Sequence, residues 1–95
     1  MERHRFALYI AGETERSAKA IQVLENLCEE DLGGDYEFVV IDVIRRPEQA
    51  VIAGIQSTPT VIREAPPPSV HFSTDWDDPV RLRAALLVQP PSDDA

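Results

Sequence analysis

Two apolar segments on either side of one long amphipathic pattern constrain the fold of this chain most. Residues 5–11 are apolar and end at Gly12, which is typical of a strand buried on both faces. Apolar side chains then recur every three or four positions between Thr14, a good helix N-cap, and the helix-ending pair Gly33-Gly34. Residues 36–43 are rich in aromatic and β-branched side chains. Because a helix of more than about ten residues between two strands favours a parallel crossover, this half predicts a β-α-β unit with residues 5–11 as a central strand.

The next part of the chain predicts a shorter helix and two more strands. Pro47 suits the first turn of a helix that ends near Gly54, since proline has no amide hydrogen to leave unsatisfied. Residues 60–63 and 69–73 have the composition of strands, and the run Pro66-Pro67-Pro68 between them makes a stiff connection.

A final helix has a clear start and a clear stop. In Asp77-Asp78-Pro79 an aspartate can cap the helix and the proline fits its first turn, while Pro90-Pro91 ends the apolar pattern that runs to Val88. The expected fold is therefore α/β, of order β-α-β-α-β-β-α, with a mixed four-stranded sheet flanked by helices. We expect one domain over residues 1–95, with its core at about 5–88 and an acidic tail at 89–95.

Charge and composition exclude several classes of function. The chain has 95 residues, 43% of them hydrophobic, and a formal net charge of -8. This charge opposes nonspecific attraction to nucleic acid and to anionic membranes, so we expect neither as a partner. The longest apolar stretches fall short of the ~18 residues that a membrane span needs, and the cytoplasm is the expected location. The single cysteine, Cys28, cannot form an internal disulfide.

Two short strings, Thr58-Pro59-Thr60 and Thr14-Glu15-Arg16-Ser17, resemble the framework of thioredoxin-like folds. In those folds a proline just before the third strand is usually cis and faces the start of the first helix, where Cys-x-x-Cys would sit. This chain has two hydroxyls there in place of two thiols. The resemblance therefore implies a thioredoxin-like fold without its usual chemistry, and a binding role becomes the leading hypothesis.

A wider set of strings resembles the KaiB family, the small cyanobacterial clock proteins and their bacterial relatives. The match is spread over residues 6 to 88, and its order and spacing make it specific although each string alone is weak. The N-terminal domain of the clock-associated histidine kinase SasA is similar too. The strings are Leu8-Tyr9-Ile10-Ala11-Gly12-Glu13-Thr14, Ser17-Ala18-Lys19-Ala20, Val40-Ile41-Asp42-Val43, Pro47, Ser57-Thr58-Pro59-Thr60 and Pro66-Pro67-Pro68.

The KaiB resemblance implies a non-enzymatic adaptor that docks on a KaiC-type ATPase ring, with a histidine kinase carrying a KaiB-like domain as a further partner. It also implies fold switching of the C-terminal half, roughly residues 50–88, between a tetrameric form and a monomeric thioredoxin-like form. Val70-His71 and Thr74-Asp75 depart from the family pattern. We therefore predict that the thioredoxin-like arrangement is the ground state; an antiparallel KaiB-type tetramer would contradict this. Monomer, dimer and tetramer remain open.

The candidate partner-binding residues lie around the positions of the missing thiols and after the second strand. Each also has a structural alternative: Pro59 can simply make a turn, and the basic side chains can simply solubilise the surface. The candidates are Arg16, Lys19, Arg45, Arg46, Ser57, Thr58 and Pro59.

No cofactor, metal or catalytic residue is expected. Thr14 and Ser17 are most simply a cap and a first-turn residue without a nearby base, and Cys28 falls on the apolar stripe of the first helix. His4 and His71 lack a metal-ligand spacing. The chain has no Gly-x-x-x-x-Gly-Lys-Ser/Thr string, so ATP chemistry would belong to a partner.

The sequence also leaves the role of Trp76 and two alternative functions open. Trp76 is expected to be buried against the last helix or, alternatively, to anchor an interface. A thioredoxin-like enzyme that handles thiols or glutathione is the alternative function, disfavoured by the absent Cys-x-x-Cys. A stand-alone structural or stress-response module is the third hypothesis.

Overall fold

The computed structural model describes residues 3–73 and 76–87. Within these ranges the element order is β-α-β-α-β-β-α, as the sequence predicts. The elements are β1 (His4–Ile10), α1 (Glu15–Leu32), β2 (Tyr36–Asp42), α2 (Pro47–Ala53), β3 (Thr60–Ala65), β4 (Val70–Phe72) and α3 (Pro79–Leu87).

The described strands form a mixed four-stranded sheet of order β2-β1-β3-β4. β1 pairs in parallel with β2, with Phe6 beside Phe38, and antiparallel with β3, with Leu8 beside Val61. The 18-residue helix α1 is the crossover between the two parallel strands. The predictions of a parallel crossover, a mixed sheet and a central first strand are all confirmed.

Both ends of α1 and α2, and the start of α3, lie where their local chemistry predicts. The Ser17 amide donates to Thr14 Oγ1 at 3.1 Å, so Thr14 caps α1, and Gly33 ends that helix with a left-handed φ of 59°. Pro47 is the first residue of α2. At α3, the Arg81 amide donates to Asp78 Oδ1 at 3.2 Å, which confirms an aspartate cap directly before a proline in the first turn.

Alternation along the strands creates two apolar layers of unequal size. The larger lies between the sheet and helices α1 and α3, and its buried members are Phe6, Leu8, Ile10, Ala20, Leu24, Leu27, Cys28, Val61, Leu82 and Leu86. The smaller lies on the other face, where Ala53 of α2 packs against buried Ala7, Tyr9 and Ile62. The buried position of Cys28 confirms its prediction as a core residue.

Strand bounds differ slightly from those predicted. β3 continues to Ala65, two residues beyond the predicted end, because it remains paired with β1 as far as Arg5. β4 is three residues long, shorter than the predicted 69–73, because only Val70–Phe72 pair with β3. Thr74-Asp75, Val88, the stop at Pro90-Pro91 and the tail 89–95 lie outside the described residues.

Candidate partner-binding surfaces

The predicted binding residues come from three chain segments that meet at one end of the sheet. β1 and β2 run in parallel and end at Ile10 and Asp42, while β3 runs the opposite way and begins at Thr60. The start of α1, the turn after β2 and the loop before β3 therefore all lie at this end. We refer to it as the docking end; it includes Arg16, Lys19, Arg45, Arg46, Ser57, Thr58 and Pro59.

Thr14 and Ser17 face Pro59 across a small hollow, at the place where a thioredoxin-like fold would carry its thiol pair. The Thr58–Pro59 peptide bond is cis, as predicted. Thr14, Ser17, Thr58 and Pro59 line this hollow of about 170 Å³ together with Ala11 and Arg16. Thr14 Oγ1 donates to Ser17 Oγ at 3.1 Å and accepts the Ser17 amide at the same distance.

In this hollow the Thr14 hydroxyl caps α1 and donates to the Ser17 hydroxyl. Nucleophilic catalysis by a hydroxyl needs an adjacent base, and no carboxylate or imidazole is among the described residues that line the hollow. The chain's one thiol is elsewhere, because Cys28 is fully buried in the larger core. Burial, with smaller contributions from nearby carboxylates, raises the pKa of Cys28 to about 12. The thiol therefore stays protonated, and unreactive, at neutral pH.

A larger groove of about 690 Å³ continues from Pro59 along the start of α1. Arg16, Lys19, Trp76 and Asp77 are among the residues that line it. The Lys19 ammonium is paired with the Asp77 carboxylate, so its charge is partly compensated. The structure thus brings Arg16, Lys19 and Pro59 together around one groove, and their role in binding stays a prediction.

Trp76 ties this groove to the loop before β3. Its indole N–H donates to the Pro59 carbonyl at 3.1 Å, and its ring meets Phe72 edge-on with centroids 5.8 Å apart. The side chain is half-buried against the larger core, which includes Leu82 and Leu86 of the last helix. Pro59 itself is buried while Ser57 is exposed. Burial favours the structural role for Pro59, and leaves Ser57 as the accessible side chain of that loop.

Asp42 fixes the turn that carries Arg45 and Arg46. Its Oδ1 accepts the Ile44 amide at 2.9 Å and the Gly12 amide at 3.1 Å, so one carboxylate joins the ends of β1 and β2. These two amides, and then the Arg45 charge, lower the pKa of Asp42. Asp42 was not predicted as a site residue; the signal was an acidic side chain at the end of an otherwise apolar strand.

Three exposed apolar side chains lie in this turn and in α2, and they were not predicted as site residues. Ile44 is 69% exposed, Val51 81% and Ile52 80%. A seven-residue helix contacts the sheet with one side only, so consecutive apolar residues in α2 cannot all be buried. We call Ile44, Val51 and Ile52 the α2 patch.

In the part of the chain that the structure describes, two kinds of feature are absent: a membrane-spanning helix and a metal-binding cluster. Residues 3–73 and 76–87 include no helix that is long and apolar enough to cross a membrane. In the same ranges, there is no group of three or more His, Cys, Asp or Glu side chains that could hold a metal ion.

Curated relatives with high similarity are circadian clock proteins. The chain is 36% identical over 90 residues to circadian clock protein KaiB3 of Synechocystis sp., covering 95% of this chain and 88% of that protein. It is 43% identical over 79 residues to circadian clock oscillator protein KaiB of Microcystis aeruginosa, covering 83% of this chain and 76% of that protein.

Solved structures with similar folds include the N-terminal domain of SasA and a thioredoxin. The N-terminal domain of Synechococcus elongatus SasA superposes with a TM-score of 0.73 at 15% identity, covering 97% of this chain and 90% of that one. Chloroplastic thioredoxin z superposes with a TM-score of 0.61 at 23% identity, covering 75% of this chain and 65% of that one. The thioredoxin-like fold is thereby confirmed.

The family model for the KaiB domain matches residues 7–85, which is most of the chain and includes all seven predicted binding residues. Together with the identities to the two clock proteins, this match shows that the chain belongs to the KaiB family.

Proposed function

We propose that this protein is a non-enzymatic adaptor that binds a KaiC-type ATPase or a related signalling protein through its docking end and the adjoining α2 patch. The observation that carries the proposal is the α2 patch itself, because Ile44, Val51 and Ile52 are all more than two thirds exposed. The role belongs to circadian-type timing or stress regulation in the cytoplasm. A histidine kinase with a KaiB-like domain is a second candidate partner.

Exposed apolar side chains support partner binding because their removal from water is favourable. Each Å² of apolar surface covered contributes about 25 cal/mol, and small domains rarely expose large apolar patches without a use for them. Arg45 and Arg46 are also exposed and immediately follow Ile44. On a chain of net charge -8, two adjacent cations next to an apolar patch favour a partner with a complementary acidic rim.

The chemistry of the hollow supports a role without catalysis. Thr14 and Ser17 replace the thiols, and the remaining thiol, Cys28, is buried and protonated at neutral pH. The alternative function, a thiol- or glutathione-handling enzyme, requires an accessible thiolate. An insulin-reduction assay decides between the two, since turnover that vanishes in Cys28→Ala would contradict the adaptor proposal.

Binding to a purified KaiC-type ATPase in the presence of ATP tests the proposal directly. We expect Val51→Asp/Ile52→Asp to weaken binding at least about tenfold, because two charges would enter an apolar contact. Val80→Asp is the matched control: Val80 of α3 is 70% exposed but outside the α2 patch. Equal binding by both variants and the unmodified protein would reject the α2 patch, and failure of the unmodified protein to bind any KaiC-type ATPase would reject the proposed partner.

A further inference from the structure

Arg63 of β3 is a charged side chain buried inside the fold. It is 1% exposed and lies on the same face of the sheet as Val61, a member of the larger core. Its Nη1 donates to the Leu86 carbonyl at 2.9 Å and its Nη2 donates to the Pro68 carbonyl at 3.0 Å. Among the described residues, its Nε has no hydrogen-bond acceptor and Arg63 takes part in none of the ion pairs.

The two acceptors of Arg63 come from two different segments of the chain. Leu86 is a buried residue of α3, so its carbonyl belongs to the helix. Pro68 belongs to the connection between β3 and β4. A buried guanidinium that loses its acceptors pays a large desolvation penalty. The position of Arg63 in the core is therefore coupled to the docked positions of both segments.

The other polar contacts that hold the α3 region are exposed ion pairs, which are weaker. Arg83 pairs with Asp31 and, at 3.7 Å, with Glu30, but these side chains are partly or largely exposed. The pair between Lys19 and Asp77 is also exposed. Exposed pairs contribute little to stability and are screened by salt. Among the described residues, Arg63 is the only buried one of the charged side chains that hold α3.

We propose that Arg63 is a latch that keeps α3 docked on the sheet, and that α3 undocks as a local unit when this latch is lost. While the latch is intact, separation of α3 requires that a buried charge lose one of its two acceptors. Without it, α3 is retained by Leu82, Leu86 and the exposed ion pairs. The rest of the sheet keeps its own pairing. The inference does not depend on the identity of any partner.

Amide hydrogen exchange of the full chain, residue by residue, tests the latch. In Arg63→Met, which keeps an unbranched apolar stem and removes the donors, we expect the amides of α3 to exchange at least about tenfold faster relative to those of β1, because hydrogen bonds from charged groups are strong ones. Arg63→Lys retains the charge and a single donor group, so its effect on α3 should be smaller. Ile62→Ala is the matched control, since Ile62 is buried next to Arg63 in sequence but on the opposite face.

Each outcome supports or overturns the latch. Selective acceleration in α3 for Arg63→Met, with no such selectivity in Ile62→Ala, supports it. Equal acceleration in α3 and β1, or unchanged exchange in α3, overturns it. A second measurement needs no substitution: raising salt from about 0.1 to 1 M should leave the protection of α3 in the unmodified protein nearly constant. If salt alone releases α3, the exposed ion pairs hold the helix and the latch is refuted, even if Arg63→Met does not fold.

Discussion

Introducing a thiol pair at the start of α1 tests whether the hollow has the geometry of a redox site with its chemistry removed. In Thr14→Cys/Ser17→Cys, two sulfurs replace hydroxyl oxygens that lie 3.1 Å apart. Loss of the Thr14 cap costs about 1 kcal/mol. A disulfide that closes a loop of about four residues stabilises by about 2 kcal/mol through the entropy of the unfolded chain. We therefore expect the oxidised variant to be about 2 kcal/mol more stable than its reduced form.

Urea titrations with and without dithiothreitol measure this difference. Trp76 serves as a fluorescent reporter because its indole contacts the Pro59 carbonyl next to the hollow. With an m-value of about 1 kcal/mol per M, the two midpoints should differ by about 2 M. Thr14→Cys alone should lose about 1 kcal/mol and show no intramolecular disulfide. Cys28 should not react in the native protein, since it is buried and protonated.

The reasoning would be refuted if the double variant failed to form the disulfide under mild oxidation. Coincident urea midpoints for its oxidised and reduced forms would refute it as well. Coincident midpoints would mean that the disulfide is strained at the start of α1. Failure to form it would mean that the two side chains are not neighbours in the folded protein. The cap described for that helix would then be wrong, and with it the account of why the hydroxyls are unreactive.

Three further predictions concern the turn after β2 and the core. Arg45→Glu/Arg46→Glu should slow association with a KaiC-type partner at low salt and change the dissociation rate little, because exposed charges mainly affect the rate of encounter. Stopped-flow binding at two salt concentrations measures both rates. An unchanged association rate would contradict the prediction. The lowered pKa of Asp42 means that its contribution to stability is present above its unfolded pKa of about 3.8 and is lost as pH falls through the still lower folded pKa. In acid denaturation, Asp42→Asn should therefore flatten the dependence of stability on pH below about pH 4, and an identical acid limb would count against the two amide hydrogen bonds. Leu24→Ala removes a fully buried side chain from α1 and should cost about 3 kcal/mol in chemical denaturation, whereas a loss below about 1 kcal/mol would show that this site is not packed.

The fold could be predicted from the sequence because its signals are local and mutually consistent. The cap at Thr14, the ending glycine Gly33 and the proline Pro47 each mark a helix boundary by their own chemistry. The length of the helix between the first two strands then determines that they are parallel. The extent of β3 and β4 was less predictable, because strand bounds depend on how far a neighbouring strand remains in register.

The candidate surface was predicted only in part, because exposure is a tertiary property. The resemblance to thioredoxin-like folds placed Pro59 opposite the start of α1, and the structure adds Arg16 and Lys19 to the same groove. The α2 patch could not, since an apolar residue such as Val51 looks like a core residue until the helix is seen to be too short to bury it. The burial of Arg63 was also unforeseen, as arginine is rarely buried and its acceptors are main-chain carbonyls that sequence does not reveal.

The opposed directions of β1 and β3 have a consequence for how this protein could diversify. Three segments that are far apart in the chain converge beyond the strand ends, and few of their side chains belong to either apolar layer. Under the proposed binding role, substitutions at the exposed positions of these segments would change recognition independently of one another, with little cost to folding. A lineage that acquires a new target needs to alter only a handful of loop positions, while the interior is inherited unchanged.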